Sequence, residues 1–253
     1  MQISDLQQSV QHNCDVADAR HGAEFTLCNY LMKMREYYRW ERGLPFSDHL
    51  PKQAVGDWLS AREQRWDDLA ESEYAELDSG GRRYDPFDAE GINRALVSRG
   101  LVYSGGLGRG GKAHFFLAEL ERSQEHDGFA VYVAGRELAR DLAAPPAMMR
   151  EGRVFVRRES LRRLLWEKLE SWRWSRPDNA LGRAFACYDF EGALEPSLDR
   201  MTDTELEMVL LHEIGEFRAG LALGDGWNRM LLAFAQTPLE LMLRAVRDHL
   251  ADC

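Results

Sequence analysis

Residues 101–134 decide the fold class of this chain, and they read LVYSGGLGRGGKAHFFLAELERSQEHDGFAVYVA. Residues 101–104, 114–120 and 129–134 are rich in β-branched and aromatic side chains, a composition that favours β-strands. Five glycines between residues 105 and 111 indicate a loop that connects the first two strands. The middle of the chain is therefore predicted to contain a small sheet.

Segments with helical patterning flank this strand-rich stretch. Apolar residues recur at intervals of three and four through most of the first eighty residues and again after residue 159. Thr202 with Glu205 forms a capping-box pattern, and Thr237 followed by Pro238 is a second helix-start signal. The helices predicted on these grounds are Asp5–Arg42, Lys52–Leu77, Asp88–Arg99, Arg136–Leu142, Ser160–Trp172, residues 202–223 and residues 237–250, and one more strand is predicted at Val154–Val156.

The prediction is an α+β protein that is mainly helical and has three segments of different net charge. Residues 1–80 and 175–253 are helical and each carries a net charge of −7, whereas the central α+β segment, residues 81–174, carries +4. We expect the helices of the two ends to pack together around or beside the central unit. In that unit, the order of helix, strand, glycine-rich loop and strand is typical of a winged helix.

The bulk composition indicates a globular protein. Of the 253 residues, 45% are hydrophobic and 29% are charged, which is ordinary for a folded domain and excludes a disordered chain. No run approaches the roughly 18 apolar residues of a membrane-spanning helix, and Met1–Gln11 lacks the order of a secretory signal. The four cysteines form no CxxC motif. We therefore expect a cytoplasmic location without a membrane partner.

The sharpest local pattern for chemistry is LLHEIGE at residues 210–216. It resembles the HExxH helix of the zinc-dependent peptidases, in which two histidines one helical turn apart bind zinc and the intervening glutamate is the general base. Glu216 stands where the second histidine of that family would be. Because residues i and i+4 share a helix face, His212 and Glu216 are predicted as metal ligands and Glu213 as the catalytic acid or base.

A second set of possible ligands, Asp18 and His21, lies in the first predicted helix. If their side of the helix is buried, both must be paired or bind a ligand, because an unpaired buried charge is costly. Together with His212 and Glu216 they would form a site for zinc, iron or manganese that supports hydrolysis or oxidation of a small substrate. The alternative is a solvated His212–Glu216 pair, with Asp18 and His21 hydrogen-bonded to each other or to a neighbouring backbone group. The helix side that contains Asp18 and His21 is the stripe formed by residues at intervals of three and four, Cys14, Asp18, His21, Phe25, Cys28 and Met32.

The glycine-rich loop supports two further hypotheses. Residues 106–112, GLGRGGK, match the GxxxxGK pattern of a phosphate-binding loop, although Ala113 replaces the serine or threonine that would hold magnesium. In a winged-helix-type nucleic-acid-binding module, Arg99, Arg109 and Lys112 would contact phosphates, but the acidic flanks argue against a strong nucleic-acid binder. A non-catalytic structural or partner-binding protein is the remaining alternative, and no pattern defines the oligomeric state.

Overall fold

The computed structural model of this chain describes residues 3–108, 111–126, 128–150, 152–235 and 237–253. Within these ranges the protein is α+β and mainly helical, as its sequence predicts. The helices are α1 (Ile3–His21), α2 (Leu27–Arg42), α3 (Lys52–Leu69), α4 (Ala89–Leu96), α5 (Arg158–Ser175), α6 (Ala180–Phe185), α7 (Leu194–Ala233) and α8 (Pro238–Ala251). The strands are β1 (Leu77–Ser79), β2 (Arg82–Tyr84), β3 (Leu101–Leu107), β4 (Ala113–His126), β5 (Phe129–Arg140), β6 (Ala147–Arg150) and β7 (Arg153–Arg157).

The strands form a small hairpin, β1–β2, and a five-stranded sheet of order β3-β4-β5-β7-β6. Neighbouring strands of the larger sheet are antiparallel, except for the parallel pair β5 and β7. Register shifts between Leu117 and Arg122 mark bulges in β4, which increase the local twist. The sheet curls far enough that its two edges come into contact, where the Ser104 hydroxyl of β3 lies 3.8 Å from the Met148 sulfur of β6.

Both faces of most of this sheet are covered, which explains why β5, β7 and the first half of β4 read as nearly continuous apolar runs, whereas the second half of β4 is polar and largely exposed. On the inner side of the curl, the Phe155 ring lies 5.8 Å from that of Phe116 and 5.5 Å from that of Tyr132, centroid to centroid. On the outer side, Val131 and Val133 of β5 pack against α5 and α7. Alternate residues of one strand thus enter two different clusters, as the two-residue period of a strand requires.

Helices cover the outer side in two groups. α1 and α4 pack on β3 and β4 through a cluster that includes Val10, Ile92 and Phe115. α5 and α7 pack on β5 and β7 through a second cluster that includes Leu165 and Leu206. The end of α1 and the α7 helix therefore lie over different parts of the sheet.

The predicted helix Asp5–Arg42 is wrong in the middle, because two helices replace it. α1 ends at His21, Gly22–Glu24 forms one turn of 3-10 helix, and α2 begins at Leu27. Phe25 and the N-cap residue Thr26 have extended backbones, which a continuous helix cannot contain. Glycine has a low helix propensity, so the break falls where the helical pattern is weakest.

The predicted helix Lys52–Leu77 is too long, since α3 ends at Leu69. The side chain of Asn13 accepts a hydrogen bond from the Ala75 amide nitrogen at 2.7 Å and donates one to its carbonyl oxygen at 2.9 Å. These bonds hold residue 75 away from helical pairing, and the chain continues into β1, where Leu77 is fully buried. Tertiary contacts therefore hold part of the predicted helix beyond Leu69 in a non-helical path.

Two further predictions need correction. The segment Arg136–Leu142, predicted as helix, is not helical: β5 continues through it to Arg140, with Glu137 and Ala139 paired to β4, and Asp141 and Leu142 follow the strand. Residue Thr202 does not start a helix, because α7 already begins at Leu194 and the Thr202 hydroxyl donates to the Leu198 carbonyl oxygen one turn earlier. Near its end, α7 is interrupted by a positive φ of 70° at Gly224.

The predicted packing of the two terminal segments on each other is not confirmed. α1 contacts α3, β4 and β5, whereas α7 contacts α5, α8, β6 and β7. The order α4, β3, β4 matches the expectation, but β3 and β4 belong to the five-stranded sheet, which gives no support to the winged-helix prediction. No described helix combines the length and the apolar character needed to cross a membrane.

Candidate metal centre

His212 and Glu216 lie on the side of α7 that meets α8. The Nδ1 of His212 donates a hydrogen bond to Oδ1 of Asp252, at the end of α8, over 2.8 Å. The other ring nitrogen, Nε2, lies 3.8 Å from Oε1 of Glu216. Metal-binding histidines are typically held in this way, with one nitrogen bonded to a carboxylate and the other directed to the metal.

Asp248 of α8 completes a group of three potential ligands. One ligand atom from each of His212, Glu216 and Asp248 lies within 4.8 Å of the others, and the described part of the chain contains no other such group. Around a tetrahedral zinc ion the ligand atoms are roughly 3.4 Å apart, because the bonds to zinc are about 2.0–2.2 Å long. The three atoms lie within 4.8 Å of one another, so they would have to approach more closely to hold an ion, but their donor types suit a divalent cation.

Asp248 is not among the ligands predicted from the sequence. It stands 32 residues after Glu216, on a separate helix, and no spacing in the sequence connects the two. Its neighbour Arg247 also reaches this group, with Nη2 3.0 Å from Oε1 of Glu216. Arg247 thus balances the charge of Glu216, a role that a bound cation would take over.

Two glutamates near His212, Glu213 and Glu216, hold their protons more tightly than usual. Burial and the hydrogen bond with Asp248 raise the pKa of Glu216. Burial and the nearby Glu216 raise the pKa of Glu213 from 4.5 to about 7. The hydrogen bond to Asp252 raises the pKa of His212. A divalent cation would relieve the crowding of carboxylates, and Glu213 exchanges its proton near neutral pH, as a general base requires.

Glu213 and Glu216 border a cavity of about 770 Å³. It is also lined by Met149 of β6 and by Arg244 and Arg247 of α8. A cavity of this size accommodates a small molecule. Of the three potential ligands only Glu216 lines this cavity, together with Glu213 and the two guanidinium groups.

Asp18 and His21 do not join the group formed by His212, Glu216 and Asp248. Both carboxylate oxygens of Asp18 accept from the Leu142 amide nitrogen at 2.9 Å, and His21 Nδ1 lies 2.8 Å from a carboxylate oxygen of Glu24. Asp18 and His21 line a different, much smaller cavity of about 30 Å³. The four ligands predicted for one metal site are thus divided between two places.

An unpredicted histidine–aspartate pair lies beside Asp18. Nδ1 of His114 is 3.2 Å from Oδ2 of Asp141, whose carboxylate also accepts from the amide nitrogens of Phe115 and Ala144. Burial favours a raised pKa at Asp141, but the hydrogen bond from His114 and the other contacts outweigh burial, so the pKa of Asp141 is lowered. The pKa of Asp18 is raised, by burial and by the nearby charge of Asp141. The sequence did not predict this pair, because Asp141 lies in a segment predicted as helix and no spacing relates it to His114.

Glu137 is the centre of a second buried group. Its Oε1 accepts from Nε of Arg157 at 2.8 Å and from the Ser160 hydroxyl. Both Glu137 and Arg157 are fully buried as side chains. The Arg157 guanidinium also lies 4.4 Å above the Phe116 ring. These contacts anchor the start of α5 to the sheet and do not border the cavity next to Glu213.

The residues proposed for nucleic-acid binding lie outside the metal centre. Lys112 pairs with Glu24 at 2.6 Å, Arg99 is exposed at the end of the turn after α4, and Arg109 lies outside the described residues. The Gly108 amide nitrogen donates to the Lys112 carbonyl oxygen at 2.6 Å, so this end of the loop is closed by a backbone hydrogen bond.

Comparisons with known proteins identify a family for the chain. The model of the N-terminal domain of DUF6866, described as a family of unknown function, matches residues 5–157, and the model of its C-terminal domain matches residues 162–253. The first match ends with β7, and the second begins four residues into α5. No curated protein and no solved structure matches the chain. Since the first match alone covers more than half of the residues, this chain belongs to the DUF6866 family, whose function is unknown.

Proposed function

We propose that this protein is a metal-dependent hydrolase of a small substrate and that His212, Glu216 and Asp248 hold its metal ion between α7 and α8. The observation that carries the proposal is the convergence of one imidazole and two carboxylates within 4.8 Å, with the imidazole fixed by Asp252. Such a ligand set suits zinc, iron or manganese.

Glu213 is the proposed general base. It adjoins His212 in α7 and borders the cavity, and its pKa of about 7 allows it to take a proton at neutral pH. When bound, a divalent cation lowers the pKa of a water molecule and polarises the bond to be cleaved. His212, Glu216 and Asp248 would hold the ion, and three protein ligands is the number typical of catalytic zinc sites. Because an acid–base group lies beside the ligands, hydrolysis is better supported than oxidation.

Metal titration tests the binding part of the proposal. Protein purified without a nickel column and treated with a chelator is titrated with Zn²⁺ and with Mn²⁺ by calorimetry. We expect about one equivalent to bind, and His212→Ala or Asp248→Ala to lower the affinity at least tenfold, roughly the loss that removal of a ligand or its support causes. His49→Ala, at an exposed loop histidine, is the matched control and should bind normally. A wild-type protein that shows no saturable binding would contradict the proposal.

Ester hydrolysis tests the catalytic part. The metal-loaded protein is assayed with p-nitrophenyl acetate and bis(p-nitrophenyl) phosphate. Glu213→Gln should lower kcat by about 10²–10⁴, the usual contribution of a general base, while its metal content stays unchanged. Glu207→Gln, at an exposed position of the same helix, should retain activity. Unchanged kcat in Glu213→Gln would remove Glu213 from the mechanism.

A further inference from the structure

Another cavity lies where α1, α2 and α3 meet, beside the break between the first two helices. Its volume is about 480 Å³, which accommodates a small molecule. Three aromatic rings and three carboxylates line it, those of Phe25, Tyr30, Trp66, Asp18, Glu63 and Asp67. Within the described part of the chain, its lining contains no lysine, arginine or histidine. The cavity therefore presents negative charge and ring faces without a cation of its own.

Asp18 carries a buried carboxylate that lacks a counter-charge. Its side chain is 6% exposed, and its two oxygens share one donor, the Leu142 amide nitrogen, at 2.9 Å. Asp15, three residues earlier in α1, is buried too, but it pairs with Arg62 at 3.0 Å and with Arg65 at 2.8 Å. No basic side chain in the described ranges forms such a pair with Asp18. Because a buried charge without a partner is costly, a cation that enters the cavity would supply what the chain does not.

The other two carboxylates stand at the open end of the cavity. Glu63 and Asp67 are four residues apart in α3, so they share a face of that helix, and both are exposed. The Tyr30 hydroxyl donates to Oε1 of Glu63 at 2.9 Å. Burial, this bond and the charges of Glu63, Asp18 and Asp67 raise the pKa of Tyr30, so the three carboxylates act on one place. Among the described residues, neither Glu63 nor Asp67 has an ion-pair partner.

The aromatic rings add a second attraction for ammonium groups. A cation within about 6 Å of a ring centroid is attracted by the negative face of the ring. The chain itself contains one example at Phe25, whose centroid lies 5.5 Å from Nζ of Lys33. Lys33 does not line the cavity, where Tyr30 and Trp66 provide further rings. The methylene groups of a ligand can also pack against these rings.

We propose that this cavity binds a small aliphatic diamine or polyamine. One ammonium group donates to Asp18 at the buried end, a second lies near Glu63 and Asp67 at the open end, and the methylene chain between them passes along the rings. The ligand needs N–H groups, because the carboxylate oxygens of Asp18 only accept hydrogen bonds and a quaternary ammonium has none to donate. None of the lining residues belongs to α7 or α8, so this site is separate from the candidate metal centre.

Calorimetric titration with hexamethylenediamine tests the proposal, in a buffer of physiological ionic strength and without added metal. The wild-type protein should bind about one equivalent, since it has one such cavity. Hexamethonium has the same spacer and charges but no N–H group, and it should bind about tenfold or more weakly. Hexanediol, which is uncharged, should not bind.

Two variants locate the binding. Asp18→Asn retains an acceptor for the Leu142 amide and should lower the affinity for hexamethylenediamine about tenfold or more, the usual effect of losing a hydrogen bond to a charged group. E63Q/D67N changes only exposed positions, so it decides the matter even if Asp18→Asn alters the circular dichroism spectrum, and it should lower the affinity as well. The charge-matched control D57N/D68N lies in the same helix at exposed positions outside the cavity and should bind as the wild type does.

Three results would overturn the proposal. The first is a wild-type protein without saturable binding of hexamethylenediamine. The second is hexamethonium binding of equal affinity, because it would show that no N–H group reaches Asp18. The third is an equal loss of affinity in D57N/D68N and E63Q/D67N, because it would mean that the amine follows the general negative charge of α3 and not the cavity.

Discussion

Gly215 of α7 and Ala251 of α8 lie so close together that a β-carbon at residue 215 would stand 2.1 Å from the Ala251 carbonyl oxygen. Only a residue without a side chain permits this approach. The same approach brings Asp248 and Asp252 to His212. The candidate metal centre therefore depends on a glycine that takes no part in its chemistry.

Gly215→Ala should displace α8 and lower the free energy of unfolding by about 1–3 kcal/mol, the usual effect of overpacking. Urea denaturation measures this loss of stability. Hydrogen exchange of the α8 amides, followed by mass spectrometry, should become faster. Gly220→Ala in the same helix is the control, because a β-carbon there meets nothing within 4 Å. It should stabilise the protein by up to about 1 kcal/mol, since alanine favours helix. Similar destabilisation by both variants would argue against a close contact at residue 215.

Asp252→Asn should weaken metal binding without removing a ligand. Asp252 holds Nδ1 of His212 at 2.8 Å, and loss of such a supporting carboxylate typically lowers metal affinity about 10–100-fold. Titration with Zn²⁺ measures the change. Asp178→Asn, at a carboxylate whose side chain is 97% exposed, provides the comparison and should bind as the wild type does. An Asp252→Asn variant with wild-type affinity would show that the hydrogen bond does not orient a ligand.

Glu213→Gln should make the stability of the protein less dependent on pH. The pKa of Glu213 is raised from 4.5 to about 7 by burial and by Glu216. Between these values the unfolded chain has lost this proton while the folded protein still holds it, so the wild type loses stability as the pH rises from about 4.5 to about 7. Glutamine removes this loss. Urea denaturation at pH 5 and pH 8 measures how the unfolding free energy of each protein changes with pH. The same change in both proteins would contradict a raised pKa at the half-buried Glu213.

Glu137→Gln should be strongly destabilising, by about 3–5 kcal/mol, because it leaves the guanidinium of Arg157 buried without a carboxylate. Glu119→Gln breaks an ion pair with Arg136 in which both side chains are about half exposed or more, and it should cost about 0–1 kcal/mol. Urea denaturation of both variants at one pH gives the comparison. Comparable losses would mean that the Glu137–Arg157 pair is not sheltered from solvent.

Some elements could be predicted from the sequence because the signal and the structure are both local. The strand at residues 129–134 and the helix that starts at Pro238 are found where β-branched residues and a helix-start signal stand. The segment 136–142 could not be predicted, since its charged and small residues favour helix in isolation. Pairing with β4 overrides that local preference. This pairing depends on residues about twenty positions earlier in the chain, which the local sequence pattern does not reveal.

The candidate site shows the same division. His212 and Glu216 are four residues apart in one helix, so their sequence alone predicts that their side chains meet, and Glu213 comes with them. Asp18 and His21 satisfied an equally regular spacing, yet they lie at another cavity. Helical spacing defines which residues share a face of one helix and carries no information about which helices meet.

The sequence by itself determined that this is an α+β protein with a central sheet, mainly helical elsewhere, and that an imidazole and a carboxylate lie one turn apart on a helix near its C-terminal end. Tertiary structure alone decided that Asp248 and Asp252 join that pair, that Asp18 and His21 do not, and that Asp18 shares a cavity with Glu63 and Asp67 of α3. The reason is physical: the period of a helix or strand is fixed by local backbone geometry, whereas the approach of two helices depends on how closely their surfaces fit, here on the missing side chain of Gly215.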